Sequence, residues 1–294
     1  MRQGFWMKAK TILQDIYIAL PAGTVLGLVG PNGAGKTTTL KLGAGLIAPE
    51  SGEVLIEGVS ASEPRARKPI GLLTESQYIY PHLQLKEWLM MLGGFSGLTG
   101  ERLSDRVVQV LDLVDLTGRE KQMIRTLSKG QLQRAGLAQA LVHDPSILIL
   151  DEPMSGLDPY WRYRMQKILI DLKVSGKTII FSSHILSDVE RLCDKIILMQ
   201  DGKIKWEGNL SEMPRKVQGY EAIGWTDNPE AFKGLIEPNH QMVRQPEGSW
   251  RFMVSEANKD ALLKMAASES LKLESLRPVQ EEIEEILFDF NSKN

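Results

Sequence analysis

The apolar positions of this 294-residue chain follow two patterns. Short continuous runs, "TVLGLVG" (Thr24–Gly30), "SILILDEP" (Ser146–Pro153) and "KTIIFSSH" (Lys177–His184), are each close to a stretch of helical periodicity. Such runs predict buried strands of an α/β domain with a mostly parallel central sheet. From residue 83 to about 130 the pattern is helical only, as in "LKEWLMMLGGF" and "DRVVQVLDLVDL", which predicts an all-helical subdomain. It ends where "RTLSKGQLQRAGLAQAL" opens a helix, with Ser128 and Gln131 at the spacing of a capping box. The same start sets a hydroxyl and an uncluttered backbone at the positive end of a helix, where a phosphate could also bind. Further on, "KIILMQDGKIKWEG" is two β-like runs about Asp201-Gly202, a tight hairpin.

From about Ser211 the texture changes. Pro214, Pro229, Pro238 and Pro246 punctuate β-like pieces such as "SWRFMV". A helix over Lys259–Ala267, a strand "LKLESLR" and a last helix from about Val279 to Phe290 are expected after them. The chain therefore divides, by sequence, into a large domain over residues 1–210 and a small α+β domain over 211–294. In the last helix Ile283, Ile286, Leu287 and Phe290 form one apolar stripe, a candidate dimer contact.

Composition narrows this only a little. With 43% hydrophobic residues, 24% charged residues and a net charge of −2, the chain has the balance of a soluble globular protein and no basic excess for nucleic acid. No run reaches the length of a membrane span, and "MRQGFWMKAK" lacks the apolar core of a secretory signal. Cys193 is the one cysteine, so an internal disulfide and a cysteine zinc cluster are excluded, and a buried thiol on an apolar helix face in a reducing cytosol is expected.

The chemistry is concentrated in "GPNGAGKTT", Gly30 to Thr38, which satisfies G-x-x-x-x-G-K-[ST] directly after a strand and before a helix. Backbone N–H groups of Gly30, Pro31, Asn32, Gly33, Ala34 and Gly35 form a loop that, proline excepted, can cradle phosphates. Lys36 can reach the β- and γ-phosphates, Thr37 can ligate Mg²⁺, and Thr38 completes the segment. Asp151, ending a buried apolar run, can hold the Mg²⁺ shell, and Glu152 beside it is a candidate base for an attacking water.

Taken together these segments resemble the ATP-binding subunit of an ABC transporter over about the first 210 residues. The phosphate loop, "LSKGQ" (Leu127–Gln131) at the signature, "ILILDEP", "SGLD" (Ser155–Asp158) at the D-loop and His184 in "SSHIL" at the switch histidine occur in the family's order. The resemblance implies a P-loop NTPase cassette that binds ATP with Mg²⁺ and dimerises head to tail. Ser128, Gly130 and Gln131 of one copy would then face the phosphates held by the other, with Asp158 crossing between copies. Lys129 stands where glycine is commonest and is expected to point outward. At the Q-loop the match falls on Glu75, a possible Mg²⁺ contact, with Gln77 as alternative; for adenine stacking Trp6 is the candidate, Phe5 the reserve, and Met7 the strict alignment. The small C-terminal domain resembles bacterial exporters of the drug, sodium or polysaccharide type. The implied partners are a separate membrane permease and a second copy of this chain, on the cytoplasmic face of the cell membrane, with no nucleic acid. A non-transport ABC ATPase acting on ribosomes or DNA is the alternative.

Overall fold

The computed structural model describes residues 11–75, 80–209, 212, 217–236, 241–268 and 271–280. The chain forms two compact units, Met1–Glu212 and Met213–Asn294. In the first, chain order is β1 (Val25–Val29), α1 (Lys36–Gly43), β2 (Leu55–Ile56), β3 (Val59–Ser60) and β4 (Ile70–Leu73). Then come α2 (Leu85–Phe95), α3 (Gly100–Leu113), α4 (Lys129–Leu141), β5 (Ile147–Leu150), α5 (Pro159–Val174), β6 (Thr178–Ser183), α6 (Leu186–Glu190), β7 (Lys195–Gln200) and β8 (Lys203–Gly208).

Six strands make one sheet in the order β4-β5-β6-β1-β7-β8, parallel throughout except for β8 at its edge. The three apolar runs are its central strands β1, β5 and β6. They are hydrophobic on both faces because both faces are covered, and Leu26, Leu28, Leu40, Ile149, Ile197 and Met199 form the core beneath the loop after β1. Registers such as Val29 with Ser183 and Leu150 with Phe181 bring the carboxyl ends of all three strands to one edge, which is where open α/β sheets place ligands. The Asp201-Gly202 turn has φ of 49° and 73°, the positive pair that a two-residue hairpin demands, and it joins β7 to β8.

Between β4 and α4 the described residues carry α2 and α3 and no strand of the sheet, as the helical periodicity predicts. Strand β4 and the two-residue hairpin β2–β3 escape the apolar pattern, being too short for a period to show. Cys193 departs from expectation: it lies in the turn after α6, not on a helix face. Its Sγ packs so close to Gly27 that a Cβ there would come within 2.7 Å, and burial pushes the thiol pKa far up.

In the second unit β9 (Val217–Trp225), β10 (Val243–Arg244), β11 (Trp250–Val254), α7 (Lys259–Ala267) and β12 (Lys272–Gln280) form an antiparallel sheet, order β10-β11-β9-β12, with a helix. Ala222, Phe252, Val254, Leu262 and Leu271 are its core. Helix α7 has the expected bounds. The expected last helix does not begin at Val279, because Val279 and Gln280 continue β12 against Gly219 and Val217. Pro278 before them suits an edge strand, and β12 is an edge strand. The apolar stripe Ile283 to Phe290 lies outside the described residues.

Candidate functional site

Strand β1 delivers the chain into the loop Gly30–Gly35. Gly33 and Gly35 take φ of 83° and 102°, the left-handed region that a side chain resists, and Gly35 is itself the N-cap of α1. The loop thus hands over directly to the positive end of a helix, the ordinary setting for an anion. Pro31, Asn32 and Gly33 are exposed, Ala34 is anchored in the core, and Thr37 and Thr38 are half-buried in the first turn of α1. Lys36, 7% exposed, folds its side chain back over the loop: Nζ donates to the Gly30 carbonyl at 2.6 Å and to that of Pro31 at 3.3 Å.

Across from it β5 ends in Asp151 and Glu152. The backbone of Asp151 is tied to β4 by its N–H to the Leu73 carbonyl, 2.8 Å. Glu152 has φ of 49°, a conformation that costs a non-glycine residue about 1 kcal/mol and turns the chain sharply. Two residues hold that turn. Ser182 on β6 accepts the Glu152 N–H at 2.8 Å and donates to Asp151 Oδ1 at 2.6 Å, while Gln133 on α4 donates to the Glu152 and Pro153 carbonyls at 3.1 and 3.0 Å. The Glu152 carboxylate then lies in a row of three. Oε1 is 3.7 Å from Lys36 Nζ, and Oε2 is 2.8 Å from His184 Nδ1 at the end of β6. Since a carboxylate only accepts, Nδ1 carries the proton and Nε2 of the half-exposed ring is turned elsewhere.

The structure therefore brings Lys36, Asp151, Glu152 and His184 together. Others it spends on caps. Ser128 is the N-cap of α4, accepting the Gln131 N–H at 3.2 Å, and the Gln131 side chain returns the bond to the Ser128 N–H at 2.9 Å. Asp158 caps α5 through the Trp161 N–H at 2.9 Å, one residue before the N1 proline. Lys129 is exposed, yet its stem runs along Gly156 of the D-loop and does not extend freely: a Cβ on Gly156 would come within 2.7 Å of Lys129 Cε. A Cβ on Gly130 would lie 3.6 Å from the Gly156 carbonyl oxygen, so signature and D-loop of one chain touch. Glu75 is exposed just beyond β4. Trp6, Phe5, Met7 and Gln77 lie outside the described residues.

Sequence reasoning missed Ser182 and Gln133. A serine on an otherwise apolar strand was a readable signal for the first. No pattern announced the second, whose partners lie far along the chain.

For a cation the available donors are oxygens: the Asp151 carboxylate and the Thr37 hydroxyl. Among the described residues no cluster of three or more His, Cys, Asp or Glu side chains forms a cage. That donor set fits Mg²⁺, which takes few protein ligands and completes its shell with water and phosphate oxygens.

Comparison with known proteins agrees with this geometry. A family model described as ABC transporter matches residues 13–155. The chain is 40% identical over 264 residues to an ABC transporter ATP-binding protein of Nostoc sp., covering 89% of this chain and 78% of that one. It is 32% identical to the linearmycin resistance ATP-binding protein LnrL of Bacillus subtilis, covering 97% and 94%, and 32% identical to Nod factor export ATP-binding protein I of Cupriavidus metallidurans, covering 77% and 76%. Among solved structures it is similar to the ATP-binding subunit of an ABC transporter (TM-score 0.65, 30% identity, 70% of this chain and 87% of that one). It is also similar to a dimeric ATP-binding cassette bound to ADP and phosphate in a post-hydrolysis state (TM-score 0.64, 25% identity, 68% and 90%). With its cassette fold and a strong likeness over most of its length, the chain belongs to the ABC transporter ATP-binding protein family.

Proposed function

We propose that this chain is the ATP-hydrolysing subunit of a bacterial exporter of the drug, sodium or polysaccharide type, working on the cytoplasmic face of the membrane. Two copies close head to tail around two ATP molecules and drive a separate permease. The observation that carries the reading is the row Lys36, Glu152, His184 at the edge where β1, β5 and β6 end. Phosphate oxygens, being charged, outcompete the neutral Gly30 carbonyl for the Lys36 ammonium, so the side chain transfers to the β- and γ-phosphates. Thr37 and Asp151 would hold Mg²⁺, which when bound would neutralise phosphate charge. Glu152, rigidly aimed by Ser182 and Gln133, orients water and takes its proton as the oxygen attacks the γ-phosphorus; the bond to ADP breaks and phosphate leaves. His184 reads the γ-phosphate by donating a ring N–H to one of its oxygens. The partner copy supplies the Ser128 hydroxyl and the first N–H groups of α4 from the opposite side. Export is supported by the name of the Nod factor relative, and dimer formation by the dimeric cassette of similar fold.

The test separates binding from turnover. Lys36→Ala should abolish ATP hydrolysis by removing the ammonium, whereas Glu152→Gln should bind ATP at near-normal affinity and lower phosphate release at least about a hundredfold. Nucleotide binding and phosphate release are measured on both; near-normal turnover in Glu152→Gln removes this residue from the reaction.

A further inference from the structure

The His184 ring is half-exposed and bonded to Glu152, and its position also depends on the chain around it. On one side Ser183 ties a knot: its Oγ donates to the Ile185 carbonyl and accepts the Ile185 N–H, both at 3.0 Å. On the other, four residues on, stands Asp188, 2% exposed. Its two oxygens are gripped by the Arg162 fork, Nε to Oδ1 at 2.8 Å and Nη2 to Oδ2 at 2.5 Å, and Gln166 Nε2 adds a third bond at 3.1 Å. Arg162 and Gln166 lie one turn apart on α5, the helix that Asp158 caps at the end of the D-loop. Glu152, Ser155, Arg162, His184 and Asp188 line one small cavity between these segments.

A buried ion pair of this kind adds little net stability, because desolvating both charges offsets most of their attraction. Its geometric effect is larger. With both carboxylate oxygens and a third donor engaged, Asp188 cannot slide along α5, so the segment bearing His184 is fastened to the helix bearing the D-loop. Glu152 is held by β6 and α4 through Ser182 and Gln133, and its carbonyl also accepts the Ser155 N–H at 3.0 Å. A movement of α5 would thus shift the segment bearing His184, while Ser182 and Gln133 hold the turn at Glu152.

We propose that the Arg162–Asp188 fork, with Gln166, is a positioning device that links the D-loop helix to the switch histidine, so that displacement of the D-loop resets His184 against Glu152. It deepens the ATPase reading above and rests on it. Arg162 touches no reacting atom. It acts through the histidine.

Arg162→Lys in the full chain is the test, since lysine keeps the charge but holds one oxygen where the fork holds two. Expected are a fall in kcat of about tenfold, from a histidine displaced by a fraction of an ångström, and a KM for ATP within about twofold of wild type, since the phosphate loop is on β1 and α1. The histidine is read directly. The chain has four, and the proton NMR resonance of the His184 ring, identified by His184→Ala, should move in Arg162→Lys while those of the other histidines stay. If Arg162→Lys fails to fold, Gln166→Leu, which leaves the ion pair intact, should show the same signature with a kcat loss of about two- to threefold. An unchanged kcat, or a lowered kcat with an unmoved His184 resonance, overturns the proposal. Wild-type protein without ATPase activity overturns the functional reading instead, and the resonance still decides whether the fork positions the histidine.

Discussion

Ser182 shows how much one hydroxyl can settle. It is fully buried on β6 and satisfies two groups at once, the Glu152 N–H and the Asp151 carboxylate. Removing it leaves a buried donor without its partner and a buried carboxylate short of one bond, a cost of about 1–3 kcal/mol. Ser182→Ala should therefore lower the melting temperature by several degrees, and it should raise the Mg²⁺ concentration needed for half-maximal phosphate release, because Asp151 is then free to turn. A variant with wild-type melting and an unshifted Mg²⁺ curve would make Ser182 a bystander. The wider lesson at this scale is that Lys36, Asp151, Glu152 and His184 were legible in the sequence because each follows a buried strand or sits in a glycine-rich turn. The groups that aim them were not. Arg162 and Asp188 are 26 positions apart, and Gln133 and Glu152 are 19 apart. Such pairs are made by the sheet's topology, which no local spacing encodes.

The strands and helices were legible where their signals were strong. Helix α4 begins where its capping box places it, and β1, β5 and β6 fall inside the three apolar runs. Strand β4 was missed because its apolar run is only four residues, Ile70 to Leu73, with a glycine among them, too short for a period to show. The cap of α4 also frames the sharper question, since a hydroxyl engaged by Gln131 can be structural and still be the group that meets a partner's nucleotide. Ser128→Ala does not separate the two roles: it costs about 1 kcal/mol as a lost cap whichever holds. Mixing does. A Ser128→Arg subunit paired with a Lys36→Ala subunit places both lesions in one composite site and leaves the other whole, so head-to-tail dimers should regain part of the activity that each variant lacks alone. No recovery in confirmed heterodimers means that the sites are not shared in this way or that both must work; pairing each variant with wild type tells these apart.

At the scale of the whole molecule, the two units divide the chemistry unequally. Lys36, Asp151, Glu152 and His184 all belong to Met1–Glu212, while Met213–Asn294 has a sheet, a helix and a core of its own. We propose that the second unit keeps two copies of the chain close between rounds of ATP binding. A permanent contact of that kind raises the effective concentration of each cassette for the other, converting an encounter between molecules into one within an assembly. In the sequence beyond β12, Ile283, Ile286, Leu287 and Phe290 fall at i, i+3, i+4 and i+7 with Glu281, Glu282, Glu284 and Glu285 among them, the spacing such a contact would use. Deleting residues 213–294 should leave ATP affinity per cassette unchanged and make specific ATPase activity climb steeply with protein concentration, where the full chain shows a plateau. Sedimentation without nucleotide should show the truncated protein as monomer and the full chain as dimer. An equal dimer fraction in both, with the same concentration dependence, would assign the stripe to the internal core of its own unit and leave dimer formation to the nucleotides alone.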